Sequence, residues 1–421
     1  MKKFSTTFIG FTFVLLAFTG CGTMMNGGNV RHKAVLASVQ SAVATATNAS
    51  VLPVVSPEIH SNGTVTFRLR APGATTVSVS IESVSGAMPM TRDSQGIWNT
   101  TLGPLPADVY AYGFSVDGFR TLDPANPSVQ PRRSLTASLF EVPANKPQYY
   151  DFQPVPHGVV RIEQYQSKSL GRRRTLLVYT PPGYDQDSHV RYPVLYLLHG
   201  YGDNEATWTG AGRAPWIADN LLAQGKARPM IIVMTDGHAV VPPESGRDPK
   251  ATLRNLLAFE GDLLQDVIPF IETNYRVASG PEYRAIIGPS MGGRQSMTIG
   301  LQNPALFAWV GGMSASLPTP ESTLTNLFKN PGISNDRLKL LWFCCGTSDP
   351  LLPEVRHLDE LLNEHGIRHQ FHEFAGGHGW PTWRPALADF LELIFNQTPN
   401  SQKARRHATG VAVTSGDDKN F

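Results

Sequence analysis

Cysteine is nearly absent from this chain: three occur in 421 residues. Two of them, Cys344 and Cys345, are neighbours in the apolar stretch "LLWFCC". Neighbours on a strand point to opposite faces, so they read as buried free thiols and not as a disulfide. Without a disulfide framework, cohesion has to come from the core. Charge is also sparse, at 17% of residues and a formal net charge of +2. There is no basic stripe or acidic block, which argues against nucleic acid as a partner. The apolar run Phe8 to Phe18 is too short to span a bilayer and stay there. What remains is a globular chain with 41% hydrophobic residues. Its length suits two or three domains with sizeable cores.

The amino terminus reads as an address. Lys2 and Lys3 precede the apolar run, and Thr19-Gly20-Cys21 follows it, the layout of a secretory signal peptide. "FTGC" (18–21) resembles a bacterial lipobox, with Phe where Leu is commoner. By that resemblance residues 1–21 are a lipoprotein-type signal peptide and Cys21 is lipidated. The alternative is plain secretion, with Cys21 an ordinary residue near the cut. The expected protein is exported and membrane-anchored through Cys21, facing the periplasm or the cell exterior. Residues 22–54, rich in Ala, Ser, Thr, Asn and Gly, are a flexible tether. Residues 398–421 are a polar, disordered tail.

Between these ends the pattern changes once. In residues 55–150, "TVTFRLRAP" (64–72), "TVSVSIESV" (76–84), "GIWNTTLGPL" (96–105) and "VYAYGFSVDG" (109–118) alternate with period two between short turns. That reads as a small all-β, Ig-like sandwich. Tyr110, Tyr112, Phe114 and Val116 share one face, as sandwich core or as a sugar platform. The sandwich has no Ser/His/acid cluster and is expected to fold without the rest. In residues 151–397, continuous apolar strands such as "YPVLYLLHG" (192–200), "PMIIVMTDG" (229–237) and "LKLLWFCCG" (338–346) alternate with helical stretches. The expected fold is α/β, a mostly parallel central sheet covered on both faces. The irregular stretch 237–259 is a candidate cap over the site.

"RAIIGPSMGG" (284–293) crowds three glycines around one serine directly after a buried strand. Such a turn holds Ser290 up at its apex. Ligands in open α/β sheets sit beyond the carboxyl ends of the strands. Two partners lie there. Asp349 follows the strand 338–345 in "CGTSDP", and His378 follows the strand 367–374 in "AGGHGW". The order Ser, Asp, His and the pentad Gly288-Pro289-Ser290-Met291-Gly292 are those of an α/β-hydrolase nucleophile elbow and triad. A serine hydroxyl needs a histidine to take its proton, and the histidine needs a carboxylate to fix its tautomer. Asp349 is also a candidate helix cap because Asp-Pro opens helices. Its substitutes as the acid are Glu354 and, at the wrong end of the sheet, Asp336. The backbone N–H of Met291 and one from Tyr201 or Gly202, in "LLHGYGDNEATW" (197–208), would stabilise the oxyanion. His199 is most simply a structural residue of that turn. Trp208, Trp380 and Trp383 either stack on substrate or pack beneath the loops. His365, His369 and His372 have ligand-like spacing, but Gly366 and the strand alternation separate them. No metal or organic cofactor is implied.

"LYLLHGYGDNEATW", "FEGDLLQDVIPFIETNYRV", "GPSMGGRQS", "CGTSDP" and "GGHGWPTWR" together resemble the esterase D-like α/β-hydrolases. That group holds carbohydrate esterase family 1 feruloyl and acetylxylan esterases, mycolyltransferases and enterochelin esterase. The resemblance covers about 158 to 397. It implies Ser290, Asp349 and His378 as the triad and the amides of Tyr201 and Met291 as the oxyanion hole. Pro289 departs from the pattern, standing where Leu or a small residue is commoner. "SPEIHSNGTVTFRLRAP" and "DPANP" (123–127) resemble the E-set or glycogen-binding-like module that precedes many such esterases. The implied activity is hydrolysis of feruloyl or acetyl esters on xylan-type carbohydrate, with oligomeric state left open. The alternatives are a siderophore-type esterase, an acyltransferase on the same scaffold, or a non-catalytic carbohydrate-binding lipoprotein.

Overall fold

The computed structural model describes residues 53–240, 248–317 and 319–396. The signal peptide, Cys21, the tether to residue 52, residues 241–247 of the candidate cap and the tail lie outside them.

The alternating segments form two antiparallel sheets. One runs Glu58–Ile59, Val65–Arg70, Ile97–Leu102, Thr91–Arg92; the other runs Met88–Pro89, Val77–Ile81, Asp108–Val116, Phe119–Thr121. Ser138–Val142 pairs with Asp108–Val116. In "VSVSI" every second residue is buried, as the pleat requires. Tyr110, Tyr112 and Phe114 lie inside, packed with Phe67 and Phe140. The aromatic stripe is therefore core and not a sugar platform. Tyr112 donates its hydroxyl to Asp123, which also accepts from Ser56, so this core's buried polar groups satisfy one another.

The second unit is an eight-stranded sheet in the order Val159–Ser167, Arg172–Thr180, Ile231–Thr235, Val194–Leu197, Arg284–Ile287, Trp309–Met313, Leu340–Gly346, Gln370–Phe374. The first pairings are antiparallel and all later ones parallel. The four residues of Arg284–Ile287 and all seven of Leu340–Gly346 are buried, because helices cover both faces. Cys344 and Cys345 are free and buried there. A helix begins earlier than the pattern suggests. Asp248 caps it by accepting from the Lys250 amide at 3.0 Å, and it runs Pro249–Asp262 before a π-turn, Leu263–Val267. The signal was Asp-Pro, a helix start that the neighbouring irregular residues hide.

The two units share a core that the sequence pattern does not reveal. In Asp108–Val116, six consecutive residues from Val109 to Phe114 are buried. One face feeds the sandwich core. The other places Val109 and Ala111, with Leu139 and Tyr150, in one cluster with Leu177, Leu195, Trp208, Trp380 and Leu387 of the large sheet and its helices. Arg384 is 1% exposed and reaches across to Asp108 at 2.5 Å and to the Val109 carbonyl at 3.0 Å. Small residues at Ala111 and Gly113 make the strand look alternating when both of its faces are covered.

Candidate active site

The crowding of glycine around Ser290 has a physical answer. None of the three glycines there takes a positive φ; Ser290 itself does, at φ 52° and ψ −115°. An L-residue in this region carries strain of roughly 1–3 kcal/mol. The glycines instead permit close approach. A Cβ on Gly292 would lie 2.5 Å from the carbonyl oxygen of His199. The turn is pinned to the neighbouring strand: the Met313 amide donates to Gly288 O at 2.9 Å, and the Ser290 amide to Met313 O at 2.8 Å. Pro289 sits between those two bonds, where no donor is needed. Ser290 ends the turn and Met291–Gln302 follows as helix.

Asp349 and His378 meet two strands away. The loops after Leu340–Gly346 and Gln370–Phe374 are joined by backbone bonds, Thr347 N to Phe374 O and Ser348 N to Gly376 O, both 2.8 Å. Gly346 allows this, since a Cβ there would stand 2.5 Å from Gly376 O. His378 Nδ1 donates to Asp349 Oδ2 at 2.9 Å, leaving Nε2 as the acceptor. Asp349 Oδ1 accepts the Leu351 amide at 2.9 Å, which fixes the carboxylate in the loop before the helix Leu352–Glu364; Leu351 is that helix's N-cap, and no side chain caps it. Burial opposes ionisation of Asp349. The bonds from His378, the Leu351 amide and Ser314 outweigh it and keep the carboxyl below its ordinary range. Glu354 lies exposed in the first turn of that helix, and Asp336 lies in the helix Pro331–Arg337, beside Arg368. Ser290 Oγ and His378 are not hydrogen-bonded to each other; such bonds commonly tighten only around substrate.

A cleft of about 180 Å³ beside Ser290 is lined by Tyr201, Met291, Asn255, Leu256, Arg294 and Gln295 among others. The amides of Tyr201 and Met291 have no acceptor among the described residues. Gly202 is different: its amide donates to His238 Nε2 at 3.2 Å, which leaves Tyr201 as the free donor of that loop. His199 is a turn residue. Its Nδ1 donates to Gly200 O at 2.8 Å, and its Nε2 accepts the Gly237 amide at 2.8 Å. His238 escaped the reading of the sequence, although it directly follows the strand Ile231–Thr235 at the reactive end of the sheet. Burial and the nearby His199 push its pKa down to about 3.

Trp208, Trp380 and Trp383 are buried, at 1%, 5% and 7% exposure. They pack edge to face, Trp208 on Trp380 at 5.1 Å and Trp380 on Trp383 at 5.3 Å. They do not offer faces to a substrate. Their indoles support the site: Trp208 donates to Leu198 O, Trp383 donates to Ser314, and the Trp383 ring abuts His378 at 5.2 Å. The three ligand-like histidines diverge, His365 onto Phe328, His369 to Asp359 and His372 onto Trp342.

The sandwich reaches this site. Arg133 N donates to Gly202 O at 3.1 Å, and Thr207 donates to Pro131 O at 2.6 Å. Arg132 lies 3.3 Å from Asp203, whose carboxyl burial pushes up to about 6.

Residues 167–394, just over half of the chain, match the Esterase family. This chain belongs to that family. A curated relative, an endo-1,4-beta-xylanase/feruloyl esterase of Xylanibacter ruminicola, is 31% identical over 347 residues, covering 80% of this chain and 46% of that protein. The chain spans about half the length of the first curated relatives it matches. Among solved structures, a CE1 ferulic acid esterase from Anaeromyces mucronatus is 26% identical with a TM-score of 0.51, covering 59% of this chain and 96% of that one. The enterobactin esterase of Shigella flexneri shares the fold at 18% identity with a TM-score of 0.58, covering 78% of this chain and 92% of that one.

Proposed function

We propose that this protein is an exported serine esterase that hydrolyses feruloyl or acetyl esters on xylan-type carbohydrate. The observation that carries the chemistry is a strained Ser290, on an elbow at a strand's carboxyl end, together with a hydrogen-bonded Asp349–His378 pair on the loops after two later strands of the same sheet. In this reading Ser290 Oγ attacks the ester carbonyl while His378 Nε2 takes its proton. The amides of Tyr201 and Met291 receive the oxyanion, favoured by the helix N-terminus behind Met291. His378 then protonates the leaving alcohol, and water resolves the acyl-enzyme by the reverse route. Asp349 holds the imidazole tautomer throughout.

Asp349→Asn tests the acid. An amide cannot steady the imidazolium and favours the wrong tautomer, so kcat should fall by roughly 10⁴. A loss below tenfold would move the role to Glu354.

The Xylanibacter relative is a xylanase/feruloyl esterase and the Anaeromyces structure a ferulic acid esterase, which supports the ester class. Methyl ferulate and acetylated xylan should be cleaved with higher kcat/KM than a catecholate triester. The reverse order would favour the siderophore reading, for which the extent of the shared fold with enterobactin esterase speaks. Product analysis with a sugar acceptor separates hydrolysis from acyl transfer. We further propose that the sandwich is an E-set-like module and that Cys21 is lipidated. The mature protein should then partition into membranes, and Cys21→Ser should abolish that anchoring. A soluble mature product beginning at another residue would refute the anchor.

A further inference from the structure

Beside the ester cleft lies a second one of about 320 Å³. Arg133, Arg172, Arg173 and Arg174 line it, opposed by Glu205 and Asp236, and His238 lines both clefts. The four guanidinium groups differ in their compensation. Arg174 is buried and paired, with Asp262 at 2.6 Å and Asp236 at 3.2 Å. Arg172 is held by neutral main-chain oxygens, Ala239 O at 2.6 Å and His238 O at 3.4 Å. Arg173 reaches the amide oxygen of Gln164 at 3.5 Å. Arg133, brought in from the sandwich, has no side-chain partner among the described residues. Neutral oxygens can align a guanidinium but do not cancel its charge. Among the described residues, then, three arginines without a carboxylate partner surround one cleft. Asp236 is already paired with Arg174 at 3.2 Å. Glu205 is the counter-charge left over, and burial pushes its carboxyl up.

A second feature points the same way. His238 is 3% exposed, and its Nε2 accepts the Gly202 amide. The proton of the neutral ring therefore sits on Nδ1. That buried atom has no acceptor among the described residues. A buried donor without a partner is costly, and its positive end adds to the field of the cleft that His238 lines. Guanidinium forks match a carboxylate in geometry as well as charge. The two acidic walls limit the excess of positive charge and favour a monoanion.

We propose that this cleft is a subsite for a carboxylate on the sugar part of the substrate, a uronic acid near the esterified residue. It deepens the xylan-ester reading and rests on it. The test uses the full chain, with hydrolysis of p-nitrophenyl acetate as reporter. Xylotriose carrying one glucuronic acid should inhibit with a KI roughly tenfold below that of neutral xylotetraose, the scale of one or two charge-assisted bonds. That ratio should fall to about twofold or less in the Arg133→Gln/Arg172→Gln double variant, and it should shrink with added salt. Equal KI values in the wild type, or a ratio that survives the double substitution, would overturn the subsite. Inorganic phosphate inhibiting as tightly as the acidic oligosaccharide would overturn its sugar specificity. Cleavage of methyl ferulate and acetylated xylan is measured separately. A chain that cleaves them with equal KI values loses only the subsite; one with the KI ratio but no such cleavage loses only the ester assignment.

Discussion

Ser290→Ala should lower kcat by roughly 10⁶ while leaving the fold intact, because in the proposed triad nucleophile, base and acid act as a unit. The substitution removes only Oγ. The Cβ stays in the same positive-φ conformation, so the local strain is unchanged. Phenylmethylsulfonyl fluoride should label Ser290 and no other serine. Full activity in the variant, or a label elsewhere, would end the triad proposal. Ser290→Gly offers an internal control: it is equally inactive, yet about 1 kcal/mol more stable than the alanine variant, since glycine relieves the positive φ. An elbow that gained nothing from glycine would not be strained.

Asp108→Ala should cost about 3–5 kcal/mol of unfolding free energy, although the residue lies far in sequence from its partner. Arg384 is 1% exposed, and Asp108 supplies its carboxylate across the boundary between sandwich and sheet. Deleting that carboxylate leaves a guanidinium buried with one carbonyl and the Tyr150 ring, 5.0 Å away. The denaturant midpoint should fall with the slope m unchanged. The same contacts predict that a chain starting at Asp151 loses both solubility and activity. It would expose the apolar surface that packs on Val109, Ala111 and Leu139. It would also free the loop of Gly202 and Thr207 from Pro131 and Arg133. A soluble truncated chain with full esterase activity would show that the shared core is dispensable.

The strands, the turn at Ser290 and the pairing of Asp349 with His378 were legible from the sequence because each depends on local pattern. A continuous apolar run must be covered on both faces, and a residue after such a strand falls at the reactive end. The same logic applies to His238, which lies three residues beyond the strand Ile231–Thr235, although the irregular residues after it carry no helix or strand pattern that marks it. Asp349 is not the cap of the helix that follows it; its two oxygens hold the Leu351 amide and His378. Sequence could not separate the roles of glycine around Ser290. Chain spacing says nothing of His199 O lying where a Cβ would go. Nor could it decide what lies against the second face of Asp108–Val116, because alternation reports one covered face and small residues conceal the other. The tryptophans near His378 turned from substrate candidates into supports for the same reason. Burial belongs to contacts between distant segments, and those exist only once the sandwich has packed onto the sheet.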